Sequence, residues 1–241
     1  MITVIVPIFN EQENIESLFF EIVEAATKTP IKEIIYVDDG STDHSLNILK
    51  NLKQKNSLLR IIKHSKKSGQ SLAFWSGVSH ASQPLIVLMD GDGQNDPKDI
   101  EKLYQQYAQV SSDEKKIMIA GQRAERKDNF VRKISSILAN KIRSTITRDG
   151  IRDTGCSLKL IRKEDYLSLP YFDHMHRFLP ALLIRNHVKI LTTDVSHRPR
   201  KFGVSKYGFW QRLLVGITDL IGVRWLIARG IPQDFKNEDI K

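Results

Sequence analysis

One cysteine, Cys156, is all the chain carries in 241 residues, which excludes an internal disulfide and any cysteine-rich zinc site. It fits a reducing compartment. With 13 glycines and 8 prolines, collagen-like and low-complexity readings fail. No stretch reaches the ~18 apolar residues that a membrane-crossing helix needs. The nearest, Leu213 to Ile231, is broken by Asp219, Arg224 and Arg229. No signal peptide is expected, because MITVIVPIFNEQEN has no basic n-region and turns acidic at Glu11. There is no G-x-G-x-x-G after the first strand and no Walker motif, so a dinucleotide fold and a P-loop ATPase both lose support. His174, His176, His187 and His197 have no zinc spacing. No internal repeat is present.

What is there reads as a globular protein. Hydrophobic residues make up 41% and charged residues 27% of the chain, and its length suits one large domain or one with a small appendage. Lys and Arg number 37 against 28 Asp and Glu, a net charge of +9. That excess serves solubility or a polyanionic partner. Nucleic acid is not expected, since basic residues and aromatics do not interleave and no reading motif is present. Positive charge concentrates at 123–152 and 185–212, and acidic residues at 90–101.

Apolar strands are predicted at 2–6, 33–37, 58–62, 85–89 and 116–120, alternating with helices at 13–26, from after the 38–41 turn through about 53, at 69–81 and from Pro97. Strands apolar throughout imply an α/β architecture, a mostly parallel central sheet with helices on both faces. Ligands of such folds collect at the carboxyl ends of the strands. Asn10-Glu11, Asp38-Asp39, Asp90-Gly91-Asp92 and Gly121-Gln122-Arg123 all fall at that edge. Beyond it, a basic amphipathic helix is expected over 130–145. One bent strand or a strand pair is expected at 189–195, a basic glycine-containing loop at 197–208, and a helical region at 210–229.

Asp90 and Asp92, with a glycine between them to permit a bent backbone, could both reach one hard cation, with Gln94 as a neutral oxygen ligand. The same residues could form a polar turn before the helix at Pro97, with Asp96 as its N-cap. Asp38 and Asp39 suit either a base or ribose contact or an Asx turn, with Asp43 capping the next helix. Arg123, Arg132, Arg198, Arg200 and Lys206 are candidate anion ligands or solvated charges, and Ser136 adds a hydroxyl one turn beyond Arg132. Cys156 reads as buried rather than nucleophilic.

The stretches VIVPIFNEQENI (4–15), IIYVDDGSTDHS (34–45), MDGDGQNDP (89–97), IRDTGCSLKLIRKE (151–164) and HRPRKFGVSKYG (197–208) resemble the family 2 glycosyltransferases with the GT-A fold. Within them the chain is similar to the dolichyl-phosphate mannose synthase and undecaprenyl-phosphate sugar transferase branch. The resemblance implies a catalytic domain over 1–208 and a membrane-proximal helical region over 209–241. It implies a metal-dependent, inverting transfer from a UDP- or GDP-linked sugar to a polyprenyl phosphate, with a saccharide or other hydroxyl acceptor as the alternative. Pro7, Asn10 and Glu11 would belong to the nucleotide pocket, with Asp38 and Asp39 on base or ribose. Asp90 and Asp92 would meet Mg²⁺ or Mn²⁺, with Gln94 beside them. Arg123, Arg132 and Ser136 would hold the acceptor phosphate. Arg200, Ser205 and Lys206 would close over the phosphates, and Asp153 would stand near the reacting centre. Many members of the branch continue into transmembrane helices where this chain stops. The expectation is therefore peripheral attachment to the cytoplasmic face of a bacterial inner membrane. Self-association into a homo-oligomer is left open by the sequence.

Overall fold

A computed structural model of the chain describes residues 1–110, 116–123, 144–147, 149–200 and 209–230. Seven strands form one sheet: β1 (Ile2–Ile8), β2 (Ile31–Asp38), β3 (Leu59–Lys63), β4 (Leu85–Leu88), β5 (Ile117–Arg123), β6 (Lys159–Arg162) and β7 (Lys189–Val195). Their order is β3-β2-β1-β4-β6-β5-β7. Pairings are parallel except at β6, which runs antiparallel to both β4 and β5. The helices are α1 (Gln12–Ala25), α2 (Ser45–Lys55), α3 (Gln70–His80), α4 (Asp99–Val110), α5 (Lys163–Leu167), α6 (Leu179–Arg185) and α7 (Phe209–Ala228). A short 3₁₀ turn, Met175–Phe178, precedes α6.

Alternation along β1 divides the core. Ile2, Val4, Val6 and Ile8 face one side, where Ile15, Leu18, Phe19 and Ile22 of α1 pack with Leu49 of α2 and Leu103 of α4. Ile5 faces the other, with Phe74 and Val78 of α3, Tyr166 of α5, Leu182 of α6 and Val223 of α7. Both faces are covered, which is why β1 and β4 in the middle of the sheet are apolar at nearly every position.

The parallel reading holds for six strands. The inserted β6 has only four residues, too short for a periodicity signal, and its strand character comes from pairing with two distant neighbours. Residues 189–195 form a single strand, paired with β5 along its whole length. The expected helix over 130–145 lies, apart from helical residues 144–147, outside the described residues. Pro97 sits in a turn ahead of α4, where Asp96 Oδ1 accepts the Lys98 N–H at 3.0 Å.

Helix α3 presses on the sheet through Gly77. A Cβ there would fall on the Ile5 Cγ2 methyl and lie 3.1 Å from Val37 Cγ2. Ile5 and Val37 are fully buried and cannot yield. Gly77→Ala is therefore expected to cost about 1–3 kcal/mol, read from the shift in urea midpoint at unchanged m-value.

Helix α7 is held at its last turn by Arg185, whose Nε donates to the Leu226 carbonyl at 2.8 Å. A cation is well placed at the negative end of a helix. Near its middle, Asp219 meets His174 Nδ1 at 3.2 Å.

Candidate active site

The carboxyl ends of β1, β2 and β4 open into a cleft of about 220 Å³. Pro7, Phe9 and Glu11 follow the path of β1 into it, Asp39 follows β2, and Asp90, Gly91 and Asp92 follow β4. Lys67, Gly69 and Gln70 come from the β3–α3 connection, and Arg200 comes from across the chain. Five separate segments thus deliver polar side chains to one edge.

Strand alternation separates the first acidic pair. Asp38 is fully buried; its Oδ1 accepts the Ser41 N–H at 2.9 Å, and its Oδ2 has no hydrogen-bond partner among the described residues. Asp39 reaches the cleft, where its carboxylate accepts the Ser68 and Gly69 N–H groups, each at 2.8 Å, and lies 2.8 Å from His64 Nδ1. Gly69 adopts φ +94°, a conformation open to glycine, to aim that N–H. Of the two candidates for base or ribose, only Asp39 lines the cleft.

Asn10 does not line it. At φ +54° its N–H donates to Ser41 Oγ and its side-chain oxygen accepts the Thr42 N–H, bracing the first loop against the second. Glu11 accepts from Asn14 Nδ2 and Arg200 Nη2, both at 2.8 Å.

Asp90 and Asp92 share the cleft, and the glycine between them has a packing reason. A Cβ on Gly91 would come within 2.6 Å of Ile8 Cγ2 and 2.8 Å of the Pro7 carbonyl oxygen. The strand-end turn can lie against β1 only without a side chain. Asp90 Oδ1 accepts from Gln70 Nε2 at 2.6 Å, and its N–H points to Ser157 Oγ and Asn95 Oδ1, each at 3.2 Å. Burial, and then the charge of Asp92, push the Asp90 carboxyl up to about 6. Two carboxylates so placed fit a divalent cation, which would relieve their repulsion. Among the described residues no group of three or more His, Cys, Asp or Glu is arranged for a metal. Further oxygens would have to come from a ligand or water. Gln94 does not line the cleft; its amide nitrogen donates to the Arg198 carbonyl at 3.4 Å.

That contact belongs to a strap. Asn95 bridges His197, and the Arg198 N–H donates to the Gln94 carbonyl at 2.9 Å. Arg198 then spends its guanidinium on Glu21 and Asp96, while Arg200 faces the cleft. Next to this edge Arg123 and Asp153 form a bidentate pair at 2.6 and 2.7 Å, 13% and 10% exposed at their side chains. Arg132, Ser136, Ser205 and Lys206 lie outside the described residues. Cys156 is buried, and burial pushes its thiol up, against a nucleophilic role.

Sequence reasoning missed His64, Gln70, Asn95, Ser157 and Lys159. His64 and Gln70 follow the third strand at the same edge, so the strand-end rule could have found them. Lys159 stands alone as a charge within the apolar run CSLKLI, which is itself a signal.

A twisted α/β sheet with one antiparallel insertion and paired aspartates at its carboxyl edge, facing an arginine strap, defines a transferase of GT-A architecture. Residues 3–168 match the family described as glycosyl transferase family 2. Over 231 residues the chain is 37% identical to a dodecaprenyl-phosphate galacturonate synthase from Rhizobium johnstonii, covering 94% of this chain and 67% of that protein. A glucosyl-3-phosphoglycerate synthase from Mycobacterium tuberculosis, solved with Mn²⁺, UDP-glucose and glycerol 3-phosphate, superposes with a TM-score of 0.65 at 18% identity, over 97% of this chain and 82% of its own. A mannosyl-3-phosphoglycerate synthase from Rubrobacter xylanophilus gives 0.68 at 13% identity, over 100% and 78%. The two structural likenesses are likenesses of fold. The chain belongs to glycosyl transferase family 2 and is related to a dodecaprenyl-phosphate sugar synthase.

Proposed function

We propose that this enzyme moves a sugar from a UDP- or GDP-linked donor to the phosphate of a polyprenyl lipid, with inversion at the anomeric carbon. In this reading residues 1–208 are the catalytic domain and 209–241 a membrane-proximal region, working peripherally at the cytoplasmic face of a bacterial inner membrane. The observation that carries the reading is the meeting of Asp90 and Asp92 with Arg200 in one cleft, beside the Arg123–Asp153 pair. Asp90 and Asp92 would hold Mg²⁺ or Mn²⁺, which when bound offsets negative charge on the departing diphosphate.

The chain's own groups have separable tasks. Asp39, held by three donors, offers a fixed acceptor to the nucleoside. Arg200 can leave Glu11 for a phosphate oxygen, a stronger partner for its fork. An acceptor phosphate oxygen attacks the anomeric carbon, and the bond to the diphosphate oxygen breaks. The attacking oxygen is already ionised near neutral pH, so no strong base is required. This favours phosphate over a hydroxyl acceptor, because both Asp153 oxygens are engaged by Arg123 and make a poor base. Melting in the presence of UDP, GDP and their sugars tests the donor. One nucleotide with Mn²⁺ is expected to raise Tm, and that rise should vanish with EDTA. Failure of the matching sugar nucleotide to glycosylate undecaprenyl phosphate would sink the acceptor assignment.

Contact with a membrane surface is supported by α7. Ile217, Ile221 and Trp225 recur every fourth residue and are 51%, 67% and 60% exposed, opposite Val223 at 1%. Arg224 is exposed beside them, and the Arg229 guanidinium lies 5.9 Å from the Trp225 ring centroid. Among the described residues, no helix is long and apolar enough to cross a membrane. An apolar stripe flanked by arginines fits the surface of an anionic bilayer. Ile221→Glu with Trp225→Ala is expected to abolish flotation with phosphatidylglycerol vesicles; undiminished flotation would remove α7 from the interface.

A further inference from the structure

A cation that none of these roles uses lies buried beneath the cleft. Lys159 is 2% exposed and stands between Leu88 of β4 and Ala120 of β5. An ammonium inside a sheet is costly unless it is partnered. Its Nζ donates to the carbonyls of Thr154, at 3.4 Å, and Cys156. Both belong to the segment leading into its own strand.

That segment serves two sides of the site. Asp153 at one end pairs with Arg123 of β5. Ser157 at the other accepts the Asp90 N–H and donates to Asn95 Oδ1 at 2.8 Å. The carbonyls between them are gripped by Lys159. His176, half-buried on the same face and 2.7 Å from Ser71 Oγ, is held down to about 3 by desolvation and then by the Arg177 and Lys159 charges. It is neutral, and burial lowers the Lys159 ammonium as well.

We propose that Lys159 is a positioning residue for the transfer. It sets the 153–157 segment that aims Asp153 at Arg123 and Ser157 at the Asp90 N–H. This rests on the reading that a divalent cation and a nucleotide sugar occupy the cleft.

Lys159→Met removes charge and donors at similar volume; Lys159→Gln keeps a donor without the charge. Mn²⁺ binding is measured by EPR titration with UDP present, alongside steady-state kinetics and thermal melting. Both variants are expected to keep Mn²⁺ affinity within about threefold, because the carboxylates that would hold the ion are unchanged. In Lys159→Met, kcat falls about 30- to 100-fold with donor KM within about threefold, and Lys159→Gln recovers part of that loss. The melting temperature holds or rises, since a buried charge has been replaced by apolar bulk. If Lys159→Met does not fold, Lys159→Gln is judged by the same Mn²⁺ and kcat criteria. A kcat within about threefold of wild type overturns the proposal. So does weaker Mn²⁺ binding together with a lowered melting temperature, the pattern of a purely structural lysine. Wild-type protein that neither binds Mn²⁺ with UDP nor transfers overturns the proposed function as well. Normal wild-type turnover with an unaltered Lys159→Met enzyme overturns this inference alone.

Discussion

Asp90→Asn and Asp92→Ala are each expected to lower kcat/KM by at least about a hundredfold, because each removes a carboxylate that would hold the cation against the leaving diphosphate. For Asp90 the loss of activity should come with a gain in stability. Folding raises this carboxyl from its ordinary 3.8 to about 6, through burial and then the neighbouring charge of Asp92. A raised carboxyl pKa means that the folded chain binds the proton more readily than the unfolded one. The ionised group therefore destabilises the metal-free protein above pH 6, and that cost is relieved as pH falls from about 6 toward 3.8. Asp90→Asn should raise the Tm of metal-free protein at pH 7.5 and have little effect at pH 4. The proton also competes with the cation. Mn²⁺ affinity should fall about tenfold per pH unit below 6 in the wild type, and much less steeply in Asp90→Asn. Calorimetric titration at pH 7.5, 6 and 5 checks this, and a flat profile would exclude Asp90 as a ligand.

Arg123→Ala is expected to cost about 3 kcal/mol of stability and to remove transfer, because it leaves the Asp153 carboxylate nearly buried without its guanidinium. Asp153→Ala strands Arg123 in the same way. Replacing both, as Arg123→Met with Asp153→Leu, should restore most of the stability while transfer stays lost. The coupling energy from denaturant titration of the four proteins measures the pair. Additive single losses would show that the two residues act separately, and that Arg123 does not owe its orientation to Asp153.

Much of the fold was legible because burial on both faces leaves a plain record. The middles of β1, β2, β4 and β5 are apolar runs, and a polar cluster stands at or just beyond the carboxyl end of each. Asp96 and Asp43 were readable as turn residues for a local reason, each accepting a backbone N–H two residues on; as caps they were misread, since His44 is the N-cap of α2 and α4 begins only at Asp99. β6 was not legible. Four residues carry no usable period, and its role is defined by the partners on either side. The acidic pair at 38–39 was legible as a site and not as an assignment, since one residue of strand phase decides which carboxylate meets the cleft and which is buried in the turn.

The residues by themselves determined a sheet closed by helices on both sides and the edge where chemistry would gather, because apolar periodicity and turn chemistry act over a few neighbours. Only the tertiary structure decided which charges meet. Arg123 reaches Asp153 across 30 residues, and Arg200 reaches Glu11 across 189. Lys159 is buried near Asp90 because β6 is inserted between β4 and β5. Such pairings depend on strand order and register, which no local pattern encodes.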